Sequence, residues 1–273
     1  MTPAIPLNDG HSMPALGLGT YPMANDEAHT AVMSAIASGY RLIDTATRYG
    51  NEPGVGQAIR DSGVPRGELF VVTKLPGADH GYDETLASFE AARNRLGTDY
   101  VDLYLIHWPL PRLYKYVDSF RAMSRLRDDG LVRSVGVSNF GAKHLRRLVE
   151  ETGTVPVVNQ VELHPRFNQA EMREVHRSMD IVTQAWSPLG RGDVLDDPTI
   201  VRVADRHSVT PAQVVLRWEV QLGVVPIPKS RDPHRQRLNL DVWDFVLDED
   251  EVVELSALET GRQGGDPDVH EEF

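Results

Sequence analysis

"VDLYLIHWP", residues 101–109, opens with the apolar alternation of a buried strand and ends on His107 and Trp108. A lone imidazole at the tip of a core strand is ordinarily a satisfied core residue, so its meaning depends on what the rest of the chain repeats. Seven further short apolar or β-branched runs share this character, namely "ALGLGT" (15–20), "RLIDTA" (41–46), "LFVVTKL" (69–75), "VRSVGVSN" (132–139), "VVNQVEL" (157–163), "IVTQAWS" (181–187) and "GVVPIPK" (223–229). Amphipathic stretches separate them, among them "DEAHTAVMSAIASG", "YDETLASFEAARNRLG" and "PAQVVLRWEVQLG", the last entered through Thr210 as N-cap and Pro211 at the first helical position. Eight strand–helix units in 273 residues, with no low-complexity linker, predict one domain over 1–273 and an α/β fold, the (β/α)8 TIM barrel. Ahead of the repeat, "IPLNDGHSMPAL" carries the turn signal Asn8-Asp9-Gly10 between two apolar pieces. It predicts an N-terminal β-hairpin closing the barrel bottom.

The totals narrow the function classes. With 28 basic against 40 acidic residues and a net charge of -12, the chain repels nucleic acid and anionic membrane surfaces. The absence of cysteine excludes disulfides, thiolate metal ligands and a cysteine nucleophile. The N-terminus has no basic segment followed by an apolar core, and no run approaches the roughly 18 apolar residues of a membrane span. A soluble, cytoplasmic protein is the expectation.

Barrel chemistry gathers at the carboxyl ends of the strands. The second run ends in Asp44, with Tyr49 five residues on; the third ends in Lys74 and the fourth in His107. Each has a bland reading: a turn cap, a packed ring, a snorkelling amine, a core imidazole. Together they put an acid, a phenol, an amine and an imidazole at one mouth. Only four of the 28 basic residues are lysines (Lys74, Lys115, Lys143 and Lys229), so arginine supplies the general surface charge and two lysines fall at strand ends. A compact ammonium about 4 Å from a phenol, at an effective dielectric near 20, interacts by about 4 kcal/mol, a gross pull of roughly three units on a tyrosine pKa near 10 that burial opposes. Tyr49 is thus expected to stay protonated at neutral pH and to donate to an oxygen gaining charge. Asp44 holds Lys74, and a neutral His107 orients the acceptor oxygen.

Such a site suits hydride addition to a carbonyl, which needs a hydride source. After the eighth run, "PKSRDPHRQR" collects Lys229, Arg231, Arg235 and Arg237 where a strand end leads into a helix, a phosphate-binding geometry. On the same mouth lie Ser138 and Asn139, Gln160 and Trp186, whose amides suit a carboxamide and whose indole suits a nicotinamide face.

The segments "RLIDTATRYGNE", "LFVVTKL", "VDLYLIHWP", "VRSVGVSNF", "VVNQVELHP", "QAWSPLG" and "VVPIPKS", in this order, resemble the aldo-keto reductases from end to end, and most nearly their bacterial 2,5-diketo-gluconate reductase branch. The resemblance implies a tetrad of Asp44, Tyr49, Lys74 and His107 with Tyr49 the general acid, and NADPH as cofactor. Cofactor contacts are implied for Ser138, Asn139, Gln160, Trp186, Ser187 and Leu189. The 2′-phosphate and adenine fall to Lys229, Ser230, Arg235 and Asn239. Tyr21 and Trp108 line the pocket for a small-molecule carbonyl substrate, an aldehyde, ketone or dicarbonyl. Family habit implies a monomer with no metal. Three positions depart from the pattern: Trp186 stands where tyrosine is the commoner stacking residue, Leu238 replaces an adenine-contacting glutamate, and Asp232 sits inside the phosphate run, where it repels a 2′-phosphate if it faces inward. The short segment after His107 and the brief acidic tail beyond residue 260 imply an open pocket and a broad carbonyl range.

Rival readings fare worse. "GLGTYP" gives Gly17 and Gly19 the first spacing of a dinucleotide fingerprint, but Pro22 stands at the third glycine. A glycosidase barrel needs paired acids at strand ends, where this chain has His107 and Trp186. Glu162 and His164 in "VELHP" lack the partners of a metal site. The alternative of another class is a nicotinamide-binding regulatory subunit with negligible turnover, against which the intact tetrad argues.

Overall fold

Side-chain parity along the strands decides which residues reach the site. In the computed structural model, which describes residues 2–272, β4 (Leu42–Asp44), β5 (Phe70–Leu75) and β6 (Val101–Ile106) pair in parallel, with Leu42 opposite Phe70 and Val72 opposite Leu103. Leu42, Phe70, Val72, Leu103 and Leu105 belong to one buried cluster inside the sheet, whereas Ile43, Val71, Leu75, Tyr104 and Ile106 pack with the helices outside it. Alternate residues face opposite ways in a strand. The next inward positions at the carboxyl ends are Asp44, Lys74 and, one residue past β6, His107.

The eight-stranded parallel sheet begins with β3 (Leu18–Gly19) and continues through β4, β5 and β6 to β7 (Val132–Ser138), β8 (Val158–Glu162), β9 (Val182–Trp186) and β10 (Val225–Pro226), each strand beside its sequence neighbour. Helices intervene: α1 (Asn25–Ser38), α2 (Glu52–Asp61), α3 (Tyr82–Leu96), α4 (Tyr116–Asp128), α5 (Ala142–Thr152) and α6 (Ala170–Ser178), then α7 (Pro198–His207) and α8 (Pro211–Gln221) in the last long interval, and α9 (Pro233–Leu240) and α10 (Glu249–Ser256) after it. This is the expected TIM-barrel arrangement.

The first and last strands are shorter than the apolar runs suggest, two residues each. The reason is chemical, because Pro226 and Pro228 have no N–H to donate. Closure is carried the other way: Gly17 N–H donates to Pro226 O at 3.0 Å and Gly19 N–H to Pro228 O at 3.2 Å. Gly19 is required here, since a Cβ would lie 2.8 Å from Ile227 O. At the other end of the barrel, β1 (Ala4–Pro6) and β2 (Ser12–Pro14) form the antiparallel hairpin. Leu7 and Met13 join the interior cluster with Leu42, Val72, Leu103 and Val158, so the hairpin seals the floor.

Local sequence sets the helix starts. Asp197, Thr210 and Asp232 each precede a proline at the first helical position, and each side chain accepts backbone N–H groups of the first turn. Each such cap contributes about 1 kcal/mol. Among the described residues, no helix is long and apolar enough to cross a membrane.

One acid inside this packing lacks a partner. Glu219 of α8 is fully buried, and neither carboxyl oxygen meets a donor among the described residues. Burial pushes its pKa well above the usual glutamate value, which keeps it neutral. The folded chain therefore holds a proton that the unfolded chain releases. Its stabilising share is complete below the ordinary glutamate pKa and is lost as pH rises toward the raised value. Glu219→Gln abolishes this titration, so calorimetric melting temperatures should show the variant gaining on the wild type from pH 5 to pH 8, by about 2 °C per kcal/mol in a chain of this size. A difference that stays constant with pH would remove the linkage.

Candidate active site

Lys74 has no solvent exposure and Asp44 is 1% exposed. The Lys74 Nζ donates to Asp44 Oδ1 at 2.5 Å, to Thr45 O at 3.0 Å and to the Tyr49 hydroxyl at 3.4 Å. Tyr49 is delivered by a single turn, Thr47–Tyr49, that ends on Gly50 at φ +69°, a conformation suited to glycine. Its ring lies 5.8 Å from His107 and 5.0 Å from Tyr21, centroid to centroid, and Tyr21 is exposed at the rim. The four residues read from three strand ends and one loop thus share one mouth.

Electrostatics correct one expectation. Burial, and then the carboxylates of Asp44 and Glu272, raise the Tyr49 pKa well above 10, the reverse of the pull expected from Lys74. Asp44 neutralises the ammonium at contact, and burial lowers the lysine's own pKa against the opposing attraction of Asp44. Tyr49 is therefore a firmly protonated phenol.

The amide-bearing residues form one network. The Asn139 Nδ2 donates to His107 O at 3.0 Å and to Ser138 Oγ at 3.1 Å, while Asn139 Oδ1 accepts from Trp186 Nε1 at 2.8 Å. Asn139 takes φ +62°, which asparagine tolerates better than most residues. A tyrosine at 186 lacks that indole donor, so the tryptophan has its own anchoring. Gln160 donates to Asp44 Oδ2 and Gln184 Oε1, both at 2.7 Å, tying β8 to β4 across the barrel. Ser187, at φ +51°, and Leu189 lie in the turn after β9, their carbonyls accepting from Gly190 N and Gly192 N at 2.8 Å each.

Beyond β10, Lys229 and Arg235 are exposed, and Ser230 and Asn239 are buried. Asp232 has a local task, its Oδ1 accepting from His234 N at 2.8 Å and Arg235 N at 3.1 Å as the N-cap of α9. The first-turn amides of α9 are already satisfied by the chain's own carboxylate.

The expectation of an open pocket is overturned. The segment after residue 260 folds back over the mouth. Thr260 N and Gly261 N donate to Arg166 O, Gln263 N and Gly264 N donate to the buried Glu162 carboxylate, and Gly264 lies against Trp186. His270 stacks on Trp108 at 3.9 Å between ring centroids. Glu272 ends the strap inside the site, its Oε1 2.7 Å from His107 Nδ1 and its Oε2 accepting from Gly77 N at 3.0 Å. The His107 contact is an ion-pair distance without the alignment of a hydrogen bond. Sequence reasoning missed Glu162, His270 and Glu272 as parts of this site. Only an acidic "HEEF" terminus marked the tail, and composition gives no sign of where such a segment docks.

Known proteins share this architecture and its sequence. The sequence model of the Aldo/keto reductase family matches residues 14–260. A Mycolicibacterium smegmatis protein named aldo-keto reductase is 53% identical over 268 residues, covering 98% of each chain. A Corynebacterium sp. protein named 2,5-diketo-D-gluconic acid reductase B is 52% identical over 273 residues, covering 99% of each. Among solved structures, a Gox0644 variant in complex with NADPH superposes with a TM-score of 0.96 at 45% identity, covering 99% of both chains.

The Lys74–Asp44 pair is the mouth's central electrostatic commitment. Asp44→Ala leaves an ammonium buried without its counter-charge and should cost about 3–5 kcal/mol in urea unfolding. Adding Lys74→Met should recover at least half of that loss. A double variant no more stable than Asp44→Ala would show that the ammonium is not what Asp44 answers.

Proposed function

Since the chain belongs to the aldo/keto reductase family, we propose that it reduces small aldehydes, ketones or dicarbonyls to alcohols, with NADPH as cofactor and Tyr49 as the proton donor. The observation that carries this reading is the Lys74 Nζ contacting both Asp44 Oδ1 and the Tyr49 hydroxyl. When bound, NADPH supplies the hydride. This chain's residues hold the substrate and manage the proton.

Tyr49 and His107 flank the position for a carbonyl oxygen, and Tyr21 and Trp108 line its approach. As charge grows on that oxygen, the Tyr49 hydroxyl donates to it. Lys74, itself held by Asp44, stabilises the phenolate left behind. The donor set of the mouth fits a dinucleotide. Asn139, Ser138 and Gln160 present amide and hydroxyl groups of the kind a carboxamide pairs with, and the Trp186 ring, fixed through its Nε1, offers a stacking face. Ser187 and Leu189 belong to the turn beside that face. Because Asp232 already satisfies the first amides of α9, recognition of a 2′-phosphate falls to the exposed side chains of Lys229 and Arg235, with Ser230 and Asn239 on the adenine side. The solved neighbour with NADPH supports the choice of cofactor.

Tyr49→Phe should lower the rate of reduction by about 10²–10⁴-fold while NADPH affinity, read by fluorescence titration, changes less than about threefold. The raised Tyr49 pKa adds a pH signature. The acid form persists through neutrality, so wild-type reduction should be flat from pH 6 to pH 8 and fall only on the alkaline side, while alcohol oxidation should rise there. An active Tyr49→Phe enzyme removes the residue from this role. For the cofactor, Lys229→Ala should weaken NADPH binding about 10- to 100-fold, in line with a lost charge-assisted hydrogen bond, and leave NADH nearly unchanged. Equal losses for both would show that no 2′-phosphate is read.

A further inference from the structure

The strap that closes over the mouth ends in a charge. Glu272 is the penultimate residue, yet it is only 8% exposed, and both of its carboxyl oxygens are engaged, one beside His107 Nδ1 and one on Gly77 N. Its approach is fixed by successive contacts: Glu162 on Gln263 and Gly264, Lys143 to Asp268 at 2.7 Å, His270 on Trp108, and Arg112 to Glu271 at 2.6 Å. A tail held at this many points presents its carboxylate in a set place.

We propose that Glu272 is a specificity-determining residue, whose carboxylate beside His107 disfavours substrates carrying their own carboxylate next to the reacting carbonyl and favours neutral carbonyl compounds. The inference rests on the reductase reading given above. Its physical content is a sum of charges at the mouth. Asp44 and Lys74 cancel at contact, so with His107 in its neutral form the negative charge that a substrate meets is that of Glu272, which His107 contacts and Arg48 attracts from further off. Burial works against ionisation of Glu272, but its contact with His107, the Gly77 amide and the attraction of Arg48 outweigh it and hold the carboxyl below the usual glutamate value. It is therefore ionised at neutral pH. At about 5–8 Å and an effective dielectric near 20, two like charges repel enough to cost roughly thirty- to three-hundredfold in affinity. An ester of the same acid escapes this penalty. A carboxylate several carbons from the carbonyl escapes most of it.

The test compares phenylglyoxylate with its ethyl ester, which present the same ketone with and without the charge. The measured quantity is the ratio of kcat/KM for acid over ester, with NADPH, in the full chain. Glu272→Gln keeps an acceptor for Gly77 N–H and removes the charge, so the ratio should rise at least tenfold. Glu272→Asp keeps the charge and should hold the ratio within about threefold of wild type. A ratio unmoved by Glu272→Gln overturns the proposal, as does a rise of equal size in Glu272→Asp. Binding of benzoate to the protein with NADP+, followed by tryptophan fluorescence, gives a second measure: at least tenfold tighter in Glu272→Gln is expected, and equal affinity also overturns it. If the wild type reduces neither ketone nor any simple aldehyde, the reductase reading fails, and the benzoate titration still decides whether the Glu272 charge repels an anion.

Discussion

A lysine ammonium with no exposure to solvent is tolerable only beside an opposite charge, and the mouth of this barrel is arranged around that requirement. Asp44 answers Lys74 through Oδ1 and uses Oδ2 to receive Gln160 from the far side of the sheet. One carboxylate thereby joins β4, β5 and β8. Such a pair adds little net stability, because the cost of dehydrating two ions nearly offsets their attraction. What it fixes is position: the phenol of Tyr49 is brought to the same nitrogen, and its proton is kept chiefly because burial disfavours the phenolate, with the carboxylates of Asp44 and Glu272 adding to that.

The barrel and the convergence of most candidate site residues were legible because a strand has a period of two and a barrel has one chemical end. Asp44 and Lys74 close their strands on the inward parity, and His107 continues the parity of Leu103 and Leu105. Tyr49 was legible by proximity alone, five residues past Asp44, since its turn has no periodicity. The start of α8 was legible because Thr210 caps it immediately before Pro211.

What stayed hidden depends on contacts between distant segments. The prolines of β10 are plain in the sequence, but that they shorten the strand and leave closure to Gly17 and Gly19 follows only from the neighbour they meet. Asp232 looked like a threat to phosphate, and its capping of α9 turns it to the backbone. The direction of the Tyr49 shift is set first by burial and then by Asp44, with Glu272, 223 residues further along the chain, adding to both. No local pattern announces such a partner. Glu219 was passed over because an isolated acid within an amphipathic helix reads as solvated.

The join between β3 and β10 has a mechanical corollary. A strand that offers acceptors at Pro226 and Pro228 and no matching donors holds its neighbour by few backbone bonds, and segments with few such bonds open at lower free energy than the rest of a sheet. Lys229 and Ser230 follow directly on this edge. The cylinder is thus closed at this edge by donors from one side alone, directly beside the loop that opens with Lys229.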